Sequence, residues 1–288
     1  MYPLTLEAYP LVRPLFAELR HNLVVDSIID GYTPAWVYVD NVEAPRTAWM
    51  WDLQGEMLIS GRANCAATNR ALAGLIAGKA IPHARARGVL GLTLFYDTPA
   101  WEAQLSTLLP GFEPEKAARR RYRFDRPRGD WRTMLPAGSA LYRLDERWLA
   151  RRDVRHMEHL VGWVDSFWRN HAHFIDASFG FFLLHGDAVA SWCLGAFVSG
   201  QQVELGVATM PAYRGQGYAT AVAARCVAFC AAHGLTPHWH CWEDNVASWH
   251  TAAKIGFVDP TQYMVYRVDI GLTHTDQGPG TQSVSARA

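Results

Sequence analysis

Apolar positions along the chain recur in runs that mark two successive cycles of strands and helices. In the first 20 residues, Leu6, Tyr9, Leu11 and Leu15 recur near helical spacing across Pro10 and Pro14 and predict a helix. Trp36–Val39 predicts a short strand, and Thr47–Ile59 a hairpin turning at Gln54 and Gly55. A helix is expected over Asn69–Ile81. Val89–Tyr96 follows as a nearly continuous apolar run, the kind buried on both faces of a sheet. Pro99 opens another helix that stops at Pro110 and Gly111, and Arg119–Phe124 forms the last strand of the cycle. Asp125–Asp130, with Pro136 and Gly138 beyond it, has the composition of a linker.

The second cycle begins with a strand at Ala140–Leu144 and a broadly helical stretch from Glu146 to Trp168. Phe179–Leu184 and Ala188–Val198 read as a hairpin turning through His185, Gly186 and Asp187. Gln201–Thr209 is a strand with Val203, Leu205 and Val207 on one face. A loop leads into a long helix ending at His233, with Gly234 in the stop position. Pro237–Trp242 is a strand, Val246–Ile255 a helix and Tyr263–Val268 a closing strand. The tail over 271–288, rich in Gly, Thr, Ser and Gln, is expected to be disordered.

The two cycles end alike. Pro99, Ala100 and Trp101 lead to Gly111-Phe112 and then Tyr122-Arg123; Ala247, Ser248 and Trp249 lead to Gly256-Phe257 and then Tyr266-Arg267. This order predicts a degenerate internal repeat, divided at the linker into domains 1–130 and 136–270.

Half of the 288 residues are hydrophobic and 12% are aromatic, enough for a substantial core. Twenty-seven basic residues balance 27 acidic ones, so no bulk field attracts nucleic acid or an anionic membrane, and any anion must be recognised locally. No apolar run reaches the roughly 18 residues of a membrane span, and the start lacks the layout of a signal peptide. Cys65, Cys193, Cys226, Cys230 and Cys241 are irregularly spaced, which suits the reducing cytoplasm, and no metal site is expected. His171 with His173, and His238 with His240, each read as a pair on one strand face in structural or pocket roles. Arg119–Arg121 reads as a solvated strand end.

Chemistry concentrates after strand 203–209. Arg214, Gly215, Gln216 and Gly217 lead at once into a helix whose N-terminal N–H groups lack intrahelical partners. The glycines let that backbone approach an anion closely, and Arg214 adds a charge, which is phosphate-binding chemistry. Ala219, Val222, Ala223, Cys226 and Cys230 then give this helix a small-residue face, and Asn245 starts a further helix ending at Lys254-Ile255-Gly256-Phe257.

This constellation resembles the GNAT superfamily of N-acetyltransferases: the Arg/Gln-x-x-Gly-x-Gly/Ala signature stands at Arg214–Ala219, and the Asn-to-Lys-x-Gly-Phe motif at Asn245–Phe257. The resemblance covers about 180–268 strongly and the first half loosely. It implies a mixed α/β (α+β) architecture of tandem GNAT-like halves, each a twisted sheet flanked by helices. The central strands, here 203–209 and 237–242, would splay apart to take acetyl-CoA. It further implies that the pantetheine pairs with Val207 and Thr209. The pyrophosphate would take N–H groups of Gln216, Gly217, Tyr218, Ala219 and Thr220, and the N–H of Val207 or Ala208 would polarise the thioester. Asn245 is either a cofactor contact, with Ser248 one turn on, or a plain helix cap.

Glu204, on the strand beside the acetyl group, is a candidate general base or a structural carboxylate. Many family members place a tyrosine proton donor where Ala252 stands, leaving Cys241, Tyr218 or solvent to serve here. Trp163, Phe167, Trp168 and Phe174 line an acceptor pocket or pack a helix on the sheet. The resulting expectation is acetyl transfer from acetyl-CoA to the primary amine of a small molecule or peptide, by a monomer or homodimer. The alternatives are a non-catalytic acyl-CoA sensor, or a transferase using a longer acyl or an aminoacyl donor. The first half, with Gly61 and no glycine-rich loop before its helix, is expected to hold no cofactor.

Overall fold

The computed structural model describes residues 1–271; the remainder of the expected tail lies outside the described residues. The first-half elements are β1 (Tyr2–Pro3), α1 (Leu23–Ile29), β2 (Trp36–Val39), β3 (Thr47–Trp51) and β4 (Glu56–Gly61). They continue with α2 (Ala66–Leu75), α3 (Ile81–Ala86), β5 (Gly91–Tyr96), α4 (Leu105–Leu108) and β6 (Glu115–Phe124). The second half contains β7 (Ser139–Arg143), α5 (Glu146–Leu149), α6 (Met157–Phe167), α7 (His171–Ala177), β8 (Gly180–His185) and β9 (Ala188–Ser199). It ends with β10 (Gln202–Thr209), α8 (Tyr218–Ala232), β11 (Thr236–Trp242), α9 (Val246–Ile255) and β12 (Phe257–Asp269).

Three local expectations are corrected. The first 20 residues form 3-10 turns, Leu6–Val12 and Ala17–Leu19, because Pro10 cannot donate to an α-helical ladder; the first α-helix is α1. Glu146–Trp168 breaks between α5 and α6, where His156 adopts a left-handed conformation (φ 66°). His171 and His173 lie on α7 and not on a strand: Asn170 caps that helix by accepting from the His173 N–H at 2.8 Å.

The chain forms two compact units, residues 1–117 with the described residues from Met264 onward, and Ala118–Tyr263. The cuts fall inside β6 and β12, not at the 125–136 linker. In the first unit the strand order is β1-β2-β3-β4-β5-β12, antiparallel except for the parallel β4–β5 pair. In the second it is β7-β8-β9-β10-β11-β6, antiparallel except for the parallel β10–β11 pair. The repeat is therefore real in topology, and its closing strand is exchanged: the Tyr122 strand completes the later unit, and the Tyr266 strand the earlier one.

Each sheet buries its faces with aromatic residues. In the first unit Trp49, Trp51, Leu72, Ile76, Leu94 and Trp101 form a core to which β12 adds Val268. Each such side chain contributes on the order of 2–3 kcal/mol by leaving water. In the second unit α8 covers one face: Phe229 packs on Phe179 with centroids 4.4 Å apart, and Cys226 Sγ donates to the Cys193 carbonyl at 3.3 Å. On the opposite face of the sheet α6 places Trp163 against Trp192 (5.7 Å) and Phe167 against Phe197 (5.4 Å).

Candidate active site

The parallel β10–β11 pair holds only from Gln202↔Thr236 through Val203↔Pro237 to Glu204↔His238. Beyond Glu204 the strands part, while β10 keeps its pairing with β9 as far as Thr209↔Ser191. A register shift in the β9–β10 pairing at Glu204/Leu205 marks the point of departure. Met210 N–H donates to the Ala190 carbonyl at 2.9 Å, and the Ser191 hydroxyl donates to the Ala208 carbonyl at 2.8 Å. Strand alternation then turns the main chain of Ala208 toward β9 and that of Val207 and Thr209 toward the opening. The expected main-chain partners thus divide: Val207 and Thr209 face the opening, whereas Ala208 is occupied on the other side.

At the end of β10 a 3-10 turn, Pro211–Tyr213, leads to Arg214. Gly215 and Gly217 have φ of 73° and 86°, and a Cβ built on either would meet no atom within 4 Å. Gly217 is the N-cap of α8, and no side chain caps the helix. Its carbonyl accepts from Ala221, while the N–H groups of Tyr218, Ala219 and Thr220 lie in the first turn without intrahelical acceptors. Arg214 Nε donates to the Thr209 carbonyl at 3.2 Å and Gln216 Nε2 to the Ala212 carbonyl at 3.0 Å, which holds the loop in shape. Both side chains are exposed. These residues fit a pyrophosphate, because the uncapped N–H groups, the helix dipole and an exposed guanidinium converge where no side chain intrudes.

Four of the remaining candidates already have partners. The buried Tyr218 hydroxyl meets His185 Nδ1 at 2.7 Å, and burial raises its pKa. Asn245 is a helix cap, accepting from the Ser248 N–H at 3.1 Å. Ser248 Oγ in turn accepts from Trp239 Nε1 at 3.0 Å. Cys241 is fully buried on the α9 side of β11; burial pushes its thiol up, against hydrogen bonds with Ser248 and Tyr122. Ala252 is also fully buried.

Tyr122 entered the sequence reading only as part of the repeat and not as a site residue. It lies opposite Trp239 on β6, and desolvation, followed by the neighbouring Cys241, raises its pKa. The repeat offered a signal, because its counterpart Tyr266 also joins a polar cluster, with Glu102 at 3.1 Å.

On the opposite sheet face stand Glu204, His238 and His240. Glu204 is half-buried; burial, followed by the charge of Arg121, lowers the pKa of His238; His240 Nδ1 meets the Tyr263 hydroxyl at 2.9 Å. A Cβ on Gly206 would lie 3.0 Å from Trp163 Cζ3, so this indole lies over bare strand beside Glu204. Trp168 and Phe174 are packing residues: Trp168 Nε1 donates to the Gly195 carbonyl at 3.1 Å, and Phe174 is fully buried against its ring. His171 Nε2 meets Asp165 at 3.0 Å.

The arginine run is not simply solvated. Arg120 pairs with Glu243 and lies 3.8 Å from the Trp249 ring centroid, and Arg119 lies over Trp242. Among the described residues, His156, Glu158 and His159 bring possible metal-ligating atoms within 4.8 Å of one another, at the start of α6.

The corresponding place in the first unit is closed. β4 and β5 stay paired from Glu56↔Thr93 to Ile59↔Tyr96. Asp97 then extends the pairing: its N–H donates to the Ile59 carbonyl at 3.3 Å, and its carboxylate accepts from the Gly61 N–H at 2.8 Å and the Ser60 hydroxyl at 2.7 Å. α2 begins after Cys65, with no glycine at its cap.

The family described as GNAT acetyltransferase matches residues 13–266. An uncharacterized N-acetyltransferase of Bacillus subtilis strain 168, YdfB, is 30% identical over 265 residues, which cover 91% of this chain and 97% of that protein. Among solved structures, a GCN5-related N-acetyltransferase-like protein from Streptococcus suis 89/1591 superposes with a TM-score of 0.66 at 20% identity. That match covers 91% of this chain and 98% of the other. A tandem GNAT protein from the clavulanic acid biosynthesis pathway gives a TM-score of 0.56 at 15% identity, covering 94% and 98%.

Proposed function

Because the chain belongs to the GNAT acetyltransferase family, we propose that it transfers an acetyl group from acetyl-CoA to a primary amine on a small molecule or peptide. The observation that carries this reading is the parting of β10 and β11 after Glu204↔His238, beside the uncapped start of α8. The thioester supplies an activated acyl group when bound. Val207 and Thr209 offer main-chain partners along the opening, and the Val207 N–H is directed to the side where an oxyanion would form. The 214–220 loop would hold the pyrophosphate.

Glu204 would accept the proton of the incoming amine, which is mostly protonated at neutral pH and unreactive until it loses that proton. On the α9 side, the Cys241 thiol and Tyr122 hydroxyl, both pushed up by burial, stay protonated at neutral pH and can supply a proton to the departing thiolate. The reaction belongs in the reducing cytoplasm, in keeping with five unpaired cysteines.

One observation favours a second reading, binding without turnover: a buried alanine, Ala252, stands where the family resemblance implies a tyrosine proton donor. A single experiment separates the two. Acetyl-CoA is titrated calorimetrically, and thiol release is then followed across a panel of primary amines. Binding with amine-dependent thiol release supports transfer; binding with none supports the sensor; no binding overturns both.

A further inference from the structure

The α6-side face of the second unit carries a row of charge across three adjacent strands. Glu204 on β10 stands opposite His238 on β11, and two residues further along β11 His240 stands opposite Arg121 on β6. Residues paired across a sheet share a face, and positions two apart along a strand share it too, so all four side chains project from one side. The charge of Arg121 reaches His238, the residue opposite Glu204, whose pKa it lowers after burial.

Arg121 differs from its neighbours. Arg120 is engaged by Glu243, and Arg123 by Asp259 at 2.6 Å. Among the described residues no carboxylate lies within ion-pair distance of Arg121, and its side chain is exposed. An unneutralised guanidinium beside two histidines, on the face that also carries the candidate base, is suited to a bidentate carboxylate. At Glu204, where β10 is still paired with β11, the backbones of β10 and β6 are two strand spacings apart, about 10 Å. Trp163 over Gly206 supplies an apolar wall at the amine end.

We infer that the acceptor is an amine that carries its own carboxylate, an amino acid or a peptide with a free C-terminus, with its amine at Glu204 and its carboxylate on Arg121. This rests on the acyl-transfer reading for its chemistry, but the recognition itself can be measured without turnover.

The test uses the full chain and matched pairs that differ only in the carboxylate, L-phenylalanine against phenethylamine and L-lysine against 1,5-diaminopentane. The ratio of kcat/KM within each pair is measured by thiol release with acetyl-CoA. In the unaltered protein it should favour the carboxylated member by about ten- to a hundredfold in at least one pair. In Arg121→Gln it should fall to near one through KM, and Arg121→Lys should restore part of it.

The same pairs are titrated calorimetrically into the acetyl-CoA-saturated protein. If no amine is turned over, the transfer reading fails; tighter binding of the carboxylated members, lost in Arg121→Gln, would still uphold the recognition. Preference for the decarboxylated members, a ratio unmoved by Arg121→Gln, or no binding of either carboxylated member would overturn it.

Discussion

Two glycines and one carboxylate carry the sharpest expectations. Gly217 has φ of 86°, and its missing Cβ leaves open the space over the α8 N-terminus. In Gly217→Asp a side chain and a negative charge would enter that space, and acetyl-CoA binding should be lost. Gly217→Ala should weaken it less, the left-handed backbone alone costing an L-residue about 1–2 kcal/mol. Calorimetry reads both, and unchanged affinity in the aspartate variant would end the assignment of the loop. Glu204→Gln should lower kcat about a hundredfold or more with cofactor affinity nearly intact. Equal turnover would hand the proton to water or to the substrate.

Gly256 answers to packing instead of ligand. Its φ is 115°, and an added Cβ would fall 1.9 Å from the Arg126 carbonyl oxygen. The Gly256 carbonyl also accepts from the Asp125 N–H at 3.1 Å. The Lys-Ile-Gly-Phe ending is therefore where the close of α9 meets the chain leaving β6. Gly256→Ala should cost about 2–4 kcal/mol, from backbone strain and a clash that neither backbone can easily relieve. Urea denaturation measures this as a lowered midpoint at unchanged slope.

At the level of elements, the two parallel strand pairs are the same device in two states. β10–β11 opens after three paired positions, whereas β4–β5 remains paired and is extended by Asp97. A closed pair leaves no unpaired main chain for a pantetheine arm, and Cys65 in place of a cap glycine leaves no clearance for a pyrophosphate. One acetyl-CoA should therefore bind per chain, and a calorimetric stoichiometry of two would contradict this. Much at this level was legible beforehand. β2, the hairpin β3–β4, the hairpin β8–β9 and helix α9 sit where apolar periodicity and turn residues put them, because those signals act within a few residues. The first 20 residues depart from the expected helix because the helical spacing of Leu6, Tyr9 and Leu11 competes with prolines, and the ring constraint prevails.

For the whole molecule, the exchanged closing strands change how the chain can be divided. A fragment spanning 136–288 lacks β6 and leaves the β11 edge unpaired, whereas 118–263 keeps all six strands of the second unit. The longer-looking division at the linker should therefore give the less soluble fragment, since an unpaired edge recruits other chains. Comparable soluble yields of the two would show that β6 is dispensable.

The sequence by itself determined the repeat, the glycine loop that opens α8 and the type of most elements, since glycine placement, capping and apolar period are properties of short segments. Only the tertiary structure decided that β6 serves the later unit, that Tyr122 meets Cys241, that Arg120 and Glu243, 123 residues apart, form a pair, and that Arg121 on the other face of β6 stands opposite His240. Those outcomes depend on strand register between distant segments, which is set by what each face can bury and not by any local preference.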